Sequence, residues 1–344
     1  MDKPLVSAIV STYNSEKFIK GKIEDLLAQT IADKLEIIIV NSGSQQNEEK
    51  VIKEFLNHPS IHYIKTEKRE TVYKAWNRGI KLAKGQFITN ANTDDRLRKD
   101  ALEILSSTLI KNPDIALVYA DQYYSHVPNQ TFEEVARQRK PKLYSSPDYN
   151  YFHQLDRCLV CSQPMWRASL HFEDNIWFDE QYQICGDYEF NLKITQKYKM
   201  LHLDMPLGVF YISPSRENLS LKDSKKGTGE IREISEPYIL GYVNSTKNDQ
   251  SNKVVKRFEK YLRFPLPLFY LWKRVNLFIK PELIKDKFFH SIEFMSYFTI
   301  AVMEREHKTK EAIRLSKKFL RYGKSQRIQK NLDILLTKNI QIPQ

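Results

Sequence analysis

The sequence predicts an α/β fold in which a mostly parallel β-sheet is covered by helices on both faces. Short apolar runs rich in β-branched residues, typical of buried strands, alternate about five times with segments of helical periodicity. The connections between them are short, and a parallel sheet crossed by helices is the arrangement that such alternation favours. No apolar run approaches the ~20 residues that a membrane-spanning helix needs.

The predicted elements follow one another in a regular order. Strands are predicted at Leu5–Val10, Leu35–Val40, Ile61–Ile64, Gln86–Thr89 and Ile115–Ala120. Helices are predicted at 18–27, 51–56, 71–84 and 101–109, where apolar residues recur at helical spacing. Pro59, Gly85 and Pro113 mark three of the helix ends, because proline cannot continue a helix and glycine is common just beyond one.

Polar segments follow three of the predicted strands, at Ser11–Ser15, Asn41–Ser44 and Asn90–Asp95. Because right-handed crossovers bring the carboxyl ends of parallel strands to one rim, these segments should meet there and bind a ligand. The adjacent carboxylates of Asp94 and Asp95 are hard oxygen ligands, suited to Mn²⁺ or Mg²⁺ carrying the phosphates of a substrate. An N-cap for the following helix is the alternative interpretation of these two residues.

Several other classes of protein are excluded or disfavoured. Three cysteines among 344 residues cannot form a disulfide framework, which favours a reducing compartment and a cytoplasmic protein. The first strand is not followed by G-x-G-x-x-G, and there is no G-x-x-x-x-G-K-[ST], so neither a dinucleotide-binding half nor a P-loop is expected. No recognised nucleic-acid motif accompanies the net charge of +12, so nucleic acid is not expected as a partner.

The positive charge is concentrated in residues 245–344, which we predict to form a basic helical module. This segment holds 22 Lys and Arg against 9 Asp and Glu, so residues 1–244 are nearly neutral. The aromatic run Phe264–Trp272 lies beside Lys273 and Arg274, a combination typical of peripheral attachment to the anionic inner surface of a membrane. A helical cap that packs on the first domain, with its basic face in solvent, is the alternative.

Five short motifs carry a resemblance to a known family. They are Val6–Asn14, Glu36–Ser44, Asn77–Gly79 with Ala83–Gly85, Asn92–Asp95 and Gly186–Phe190. In this order they resemble the family 2 glycosyltransferases, which have the GT-A fold. The resemblance covers residues 4–220 approximately.

The resemblance implies a division of the chain and an activity. A GT-A domain would occupy residues 1–244, with a nucleotide-sugar-binding half at 1–121 and an acceptor half at 122–225. It would transfer a hexose or N-acetylhexosamine, with inversion and with Mn²⁺ or Mg²⁺, from a nucleotide-diphosphate sugar, a UDP-sugar being favoured. The acceptor would be a hydroxyl of a glycan, a lipid-linked sugar or a glycoprotein in the synthesis of surface polysaccharide or glycans. The Q-x-x-R-W signature of processive members is absent, which favours a single addition.

The same resemblance implies roles for individual residues. The donor would be bound by Ser11, Thr12, Tyr13, Asn14, Asn41, Ser42, Arg78, Asn92, Thr93 and Asp94. The metal ion would be bound by Asp94 and Asp95. Asn41 and Asn92 stand where the family usually has Asp, so two carboxylates are missing from the pattern. A GT-A domain that lost catalysis and only binds a nucleotide or a glycan is therefore the alternative function.

Asp187 matches the catalytic carboxylate of the family, which implies a general base that deprotonates the acceptor hydroxyl. From the residues alone, the N-cap of a helix at Tyr188–Tyr198 is the favoured interpretation of Asp187. The two roles are compatible, because a helix start would also hold the carboxylate in place.

Residues 121–185 are rich in Tyr, Phe and Trp, whose rings suit stacking on sugars. The segment Gln163–Arg167 resembles the family segment that lines the acceptor pocket, which implies acceptor binding by Gln163, Trp166 and Glu189. Trp166 is the ring that we expect to stack on a sugar. Membership of an ordinary core is the alternative for any single ring.

Overall fold

A computed structural model describes residues 3–215, 223–245, 292–322 and 325–340 of the chain. The chain divides into two compact units, Met1–Ile231 and Arg232–Gln344. The first unit contains the β-sheet and its covering helices, and the described part of the second unit is helical.

Among the described residues, nine strands form one sheet. They are β1 (Val6–Thr12), β2 (Leu35–Asn41), β3 (Ile61–Lys65), β4 (Phe87–Asn90), β5 (Arg96–Leu97), β6 (Ile115–Ser125), β7 (Leu143–Tyr144), β8 (Met165–Arg167) and β9 (Lys199–Tyr211). Their order is β3-β2-β1-β4-β8-β6-β9-β5, and β7 pairs with β6. The five predicted strands are β1, β2, β3, β4 and β6. The prediction lacked β5, β7 and β8, because two or three residues are too few to show a period, and it also lacked β9, although this strand has 13 residues.

The directions of the strands confirm a mostly parallel sheet. β1 runs parallel to β2 and to β4, β2 runs parallel to β3, and β6 runs parallel to β9. β8 is antiparallel to both of its neighbours, β4 and β6, so β6 points the same way as β4. The carboxyl ends of β1, β2, β4 and β6 therefore lie on one rim of the sheet, as expected for a ligand site.

Helices cover both faces of the sheet. In the first unit they are α1 (Glu16–Leu27), α2 (Glu48–Lys53), α3 (Val72–Ile80), α4 (Ala101–Lys111), α5 (Phe132–Ala136), α6 (Tyr151–Gln154), α7 (Ser169–Phe172), α8 (Gly186–Thr195) and the start of α9 (Ser224–Ser245). Alternate residues of β1 enter two separate cores, as the period of a strand requires. Val10 packs with α1 and α4 on one face, whereas Ile9 packs with α3 and α8 on the other.

Helix α3 ends earlier than predicted, at Ile80 rather than Lys84. Gly85 therefore does not terminate the helix and instead lies against β1, where an added Cβ would be 2.6 Å from the backbone nitrogen of Ser7. Its own backbone N–H donates to Ser7 Oγ at 2.8 Å and to Glu36 at 3.0 Å. Only glycine permits this close approach of backbone to backbone.

The second unit contains the end of α9 and the helices α10 (Ile292–Arg305), α11 (Thr309–Tyr322) and α12 (Gln326–Ile340). Helices α11 and α12 agree with the sequence, in which the spacing of apolar residues near the end of the chain predicts a hairpin of two helices. Tyr297 donates a hydrogen bond to Glu236 at 3.0 Å, and Arg305 donates to the carbonyl of Val243 at 2.6 Å, so α10 is tied to α9. None of the described helices is both long and apolar enough to cross a membrane.

The predicted domain limits stay predictions. The limit at residue 244 lies at the end of α9, whereas the division between the two compact units lies inside that helix, at 231/232. The aromatic run Phe264–Trp272 lies outside the described residues.

Candidate active site

A cleft of about 1870 Å³ opens at the rim where the parallel strands end. It lies wholly within the first unit. The predicted site residues that line it are Ser11, Tyr13, Asn14, Ser42, Asn92, Thr93, Asp94, Trp166 and Asp187. Ser11, Asp94 and Asp187, which are far apart in the sequence, thus meet in one cavity. The first two do so because the strands before them end on the same rim.

The loops after β1 and β2 are joined by Glu48, a buried carboxylate at the start of α2. Glu48 accepts hydrogen bonds from the backbone N–H of Ser15 at 2.7 Å and from Ser44 Oγ at 2.5 Å. Asn14 adopts a left-handed backbone conformation, with φ of 51°, and its side chain accepts a hydrogen bond from the backbone N–H of Gln45 at 3.0 Å. Sequence reasoning missed Glu48, because it lies within the uniformly polar run Ser44–Lys50, where no single residue stands out.

Asn41 and Thr12 support these loops and do not line the cleft. Asn41 is 1% exposed; its amide oxygen accepts from the backbone N–H of Ser44 at 2.9 Å, and its amide nitrogen donates to Tyr63. Thr12 is also 1% exposed and donates weakly to Glu48. Because both side chains already have partners inside the protein, the expectation that they contact the donor directly is corrected to a supporting role.

A cationic side chain lies over a ring at the mouth of the cleft, but it is Arg69 and not Arg78. The Arg69 guanidinium is 4.2 Å from the ring centroid of Tyr13, and both residues line the cleft. Arg78 forms a two-pronged ion pair with Glu70, at 2.5 and 3.0 Å, and this pair holds the pKa of Glu70 below its usual range. Arg69 lines the cleft whereas Arg78 does not, and the contact of Arg78 with the donor stays a prediction.

Asp94 and Asp95 occupy different environments. Asp94 is half-buried and lines the cleft, whereas Asp95 is fully buried and accepts hydrogen bonds from the backbone N–H of Tyr211 and from Asn92. Burial, followed by the neighbouring charge of Asp94, raises the pKa of Asp95 to about 7. The buried ammonium of Lys22 opposes this rise, and burial lowers the pKa of Lys22 itself to about 8. Asp95 is enclosed, so only Asp94 of the predicted pair lines the cleft, and the assignment of both residues as metal ligands stays a prediction.

The residues at this end of the cleft fit a divalent cation that arrives with its substrate. Among the described residues, no three His, Cys, Asp or Glu side chains converge into a complete protein cage for a metal ion. Mg²⁺ is usually held by one or two carboxylates together with substrate phosphates and water, and Asp94 supplies one such hard oxygen ligand. The donor set therefore suits Mg²⁺ or Mn²⁺ better than a softer metal.

Asp187 lines the same cleft from the first turn of α8. Its Oδ1 accepts from the backbone N–H of Tyr188 at 2.8 Å and lies 3.3 Å from the hydroxyl of Tyr73. Asp187 is exposed to the cleft, but the protein packed around its carboxyl displaces much of the bulk water, and this effect outweighs the hydrogen bonds and raises the pKa of Asp187. The helix begins at Gly186, so Asp187 is its second residue and not the N-cap that the sequence allowed as an alternative.

The three residues predicted to bind the acceptor are buried in the core. Trp166 borders the cleft but is only 1% exposed, and its indole N–H donates to His171 Nε2 at 2.8 Å. Burial lowers the pKa of His171 to about 4, which keeps the imidazole neutral and able to accept this bond. The rings of Phe178 and Phe190 lie edge-on to Trp166, with centroids 5.9 and 5.5 Å away. The ring is packed against the protein in this structure, and stacking of a sugar on Trp166 stays a prediction.

Gln163 and Glu189 likewise have internal partners. The amide of Gln163 accepts from Lys22 at 2.6 Å and donates to the carbonyl of Arg96 at 3.2 Å. Glu189 is 7% exposed and pairs with Lys193 at 2.9 Å, one helical turn away. Their predicted contact with the acceptor is corrected to a structural role, because neither side chain lines the cleft.

A different set of aromatic rings is open to the cleft. Tyr124 of β6 lies 5.5 Å from Tyr144 of β7 and 6.4 Å from Phe210 of β9, measured between ring centroids, and all three line the cleft. Tyr144 is 38% exposed. We call these three residues the aromatic wall. Tyr124 and Tyr144 belong to the aromatic-rich segment of the sequence, but only strand pairing brings Phe210 to them.

The fold and the cleft together define a class of protein. A parallel sheet with amide- and hydroxyl-rich loops at its carboxyl rim suits a nucleotide, and one carboxylate at that rim suits the cation of a diphosphate. A second carboxylate with a raised pKa in the same cleft suits proton transfer. Residues 7–170 match the model of glycosyl transferase family 2, and we identify the chain as a glycosyltransferase that is similar to this family.

Individual relatives agree with this assignment. The chain is 27% identical over 221 residues to an uncharacterized glycosyltransferase of Methanocaldococcus jannaschii, which covers 63% of this chain and 74% of that protein. It is 26% identical over 204 residues to chondroitin synthase of Escherichia coli, which covers 58% of this chain but only 28% of the synthase. The fold is similar to that of S. aureus TarS in complex with UDP, with a TM-score of 0.56 at 17% identity, over 91% of this chain and 86% of that one.

Proposed function

We propose that this chain transfers a single sugar, with inversion, from a nucleotide-diphosphate sugar to a hydroxyl of a saccharide acceptor in polysaccharide or glycan synthesis. The observation that carries the proposal is that Asp94 and Asp187 line one cleft although they lie on different elements. The pair provides a cation ligand for the leaving group and a base for the attacking hydroxyl. A domain that only binds a nucleotide would need the first carboxylate but not the second.

At the donor end, the nucleotide would lie across the loops after β1 and β2. Tyr13, with Arg69 over its ring, offers an aromatic face and a positive charge to a base and its phosphates. TarS was solved with UDP and with UDP-GlcNAc, which supports a UDP-sugar as the donor. A Mg²⁺ or Mn²⁺ ion held by Asp94 would neutralise the charge that develops on the departing diphosphate.

At the reacting centre, Asp187 would accept the proton of the acceptor hydroxyl as the oxygen attacks the anomeric carbon. The bond from that carbon to the diphosphate oxygen breaks as the new glycosidic bond forms, and the electron pair leaves with the diphosphate. Attack from the face opposite the leaving group inverts the configuration. The raised pKa of Asp187 makes its carboxylate a stronger base than an ordinary aspartate, which favours this role.

At the acceptor end, the aromatic wall would hold a sugar ring. β9, which carries Phe210, is tied to the Asp94 loop by the hydrogen bond from the Tyr211 N–H to Asp95 at 3.1 Å, so the wall lies next to this loop. Tyrosine and phenylalanine rings stack on the apolar faces of pyranoses, and a tyrosine hydroxyl can bond a sugar hydroxyl. The wall therefore takes the role that the sequence suggested for Trp166.

The proposal is tested by incubating the full chain with a panel of UDP-, GDP- and dTDP-sugars and Mn²⁺, with and without oligosaccharide acceptors. Release of nucleoside diphosphate that depends on both Mn²⁺ and Asp187 supports a transferase. Tight nucleotide binding with no turnover of any donor, with and without acceptor, would instead favour the binding module.

A further inference from the structure

The turn that precedes the helix of Asp187 is held by a carboxylate far along the chain. Three consecutive backbone N–H groups, those of Gln183, Ile184 and Cys185, donate to Glu230 at 3.1, 2.9 and 2.9 Å. Both oxygens of Glu230 are used, and the residue is only 8% exposed. Glu230 lies two turns into α9, in the first compact unit.

One of these hydrogen bonds takes the place of a local helix cap. Backbone N–H groups at a helix start have no partners within the helix, and Cys185, the residue before α8, provides no side-chain cap. An acidic group at this position is favourable because the helix dipole places positive charge there. Glu230 thus satisfies the buried N–H of Cys185 and two further donors in the turn before the helix.

The same turn is held from its other side by Tyr73 of α3. The Tyr73 hydroxyl donates to the carbonyl of Ile184 at 2.5 Å, and its ring lies directly under Gly186, where an added Cβ would be 2.7 Å from a ring carbon. A second contact from α9 joins the turn, because Lys226 donates to the side chain of Gln183 at 2.6 Å. The residue that follows this clamped turn is Asp187.

We propose that Glu230 is a positioning residue for glycosyl transfer: its three hydrogen bonds hold the turn at 183–185 so that Asp187 enters the cleft at the correct place. This inference rests on the proposed role of Asp187 as the base. Glu230 does not itself line the cleft. It acts on the reaction through the backbone that carries the base.

The charge of Glu230 also acts on Asp187. Among the described residues, the titratable groups whose charges interact with Asp187 are Tyr73, Cys158, Cys185 and Glu230. The negative charge of Glu230 adds to the rise in the pKa of Asp187, after the larger effect of burial. Removal of that charge should therefore lower the pKa of Asp187 and make it a weaker base.

The test compares Glu230→Gln with the wild type in full-length protein, and uses Glu233→Gln as the matched control. Glu233 is exposed on the same helix, so its variant removes one charge without touching the turn. We expect Glu230→Gln to lower kcat by ~10- to 100-fold with little change in the KM of the donor, because a small misplacement of a catalytic group costs about this much. The acid limb of the profile of kcat against pH should move to lower pH, and Glu233→Gln should change neither quantity.

Glu230→Asp supplies a second variant that keeps the charge but shortens the side chain. We expect it to lower kcat while leaving the acid limb in place. A folded Glu230→Gln variant with the wild-type rate and profile would overturn the proposal, and so would a Glu230→Asp variant with the wild-type kcat. A rate that falls only in proportion to the fraction of unfolded protein would show a purely structural role and would also overturn it.

The link to Asp187 can be measured without turnover. The ¹³C shift of the Asp187 carboxyl, followed against pH, should give a lower pKa in Glu230→Gln than in the wild type. An unchanged pKa in a folded variant contradicts the inference. A wild-type chain that turns over no donor would instead contradict the proposed function, and this titration still tests Glu230 in that case.

Discussion

Asp94 and Asp95 are adjacent in the sequence, yet one carboxylate lines the cleft and the other is fully buried beside the ammonium of Lys22. The buried residue bonds the backbone of β9 through Tyr211 and so holds the strand against the Asp94 loop. One carboxylate thus faces the cleft, and the other supports the loop that presents it.

The first prediction concerns Asp94. We expect Asp94→Asn to remove most of the dependence of UDP binding on Mn²⁺ while the protein stays folded, because the side chain keeps its size but loses the charge that binds the cation. Isothermal titration calorimetry with UDP, first in the presence of Mn²⁺ and then in the presence of EDTA, measures this dependence. Asp114→Asn, at an exposed position outside the cleft, is the control. Equal UDP affinity of the wild type with and without metal would contradict the prediction.

The second prediction concerns Asp95 and pH. Its pKa is raised from 3.8 to about 7 in the folded protein, so the folded state binds the proton more tightly than the unfolded state does. The stability from this group is complete below about pH 4 and is lost as pH rises toward 7. Relative to Asp95→Asn, which does not titrate, the wild type should therefore lose free energy of unfolding between pH 4 and 6. Urea denaturation of both proteins across this pH range measures the difference between their free energies of unfolding. A difference that does not change with pH would refute the prediction.

The third prediction concerns Asp187. Asp187→Asn should reduce transfer by ~10² to 10⁴, with donor binding and folding nearly unchanged, since an amide cannot accept the proton. Because the pKa of Asp187 is raised, the wild-type rate should fall on the acid side at a pH above the ordinary range of aspartate. Near-normal transfer by the folded variant would remove Asp187 from the mechanism.

The fourth prediction separates Trp166 from the aromatic wall. Trp166→Ala should destabilise the protein by ~3–5 kcal/mol, because it leaves a cavity in the core and removes the partner of His171. Tyr144→Ala should instead leave stability almost unchanged and raise the KM of the acceptor, because the ring is partly exposed in the cleft. Thermal unfolding and acceptor kinetics measure the two effects. Phe172→Ala is the control, because it removes an exposed ring that does not line the cleft. It should change neither the stability of the protein nor the KM of the acceptor.

The fifth prediction concerns the basic segment 245–344. We propose that it attaches the enzyme to an anionic membrane surface, where lipid-linked acceptors lie. Each Lys or Arg near such a surface contributes ~1 kcal/mol, so the full-length protein should pellet with anionic vesicles at low salt, less so at high salt, and not with neutral vesicles. Replacement of Lys273 and Arg274 by Ala should weaken pelleting. Failure of the wild type to pellet at low salt would favour the packed helical cap.

The sequence by itself determined the parts of this protein that depend on local pattern. Runs such as Leu35–Val40 can be buried on both faces only as strands, and the polar residues that end them must lie on one rim once the crossovers are right-handed. Asp94 and Asp187 were predicted as site residues because each lies within a short motif that resembles the family, and both line the cleft.

The tertiary structure alone decided which side chains reach the cleft. Trp166 is buried because Phe178 and Phe190 pack against it, and Glu230 holds the turn before Asp187 from 45 positions away. Lys22 meets Gln163 across 141 positions. Periodicity reports only the face of an element on which a residue lies. What covers that face depends on contacts between residues distant in the sequence, and those contacts form only when the whole chain has folded.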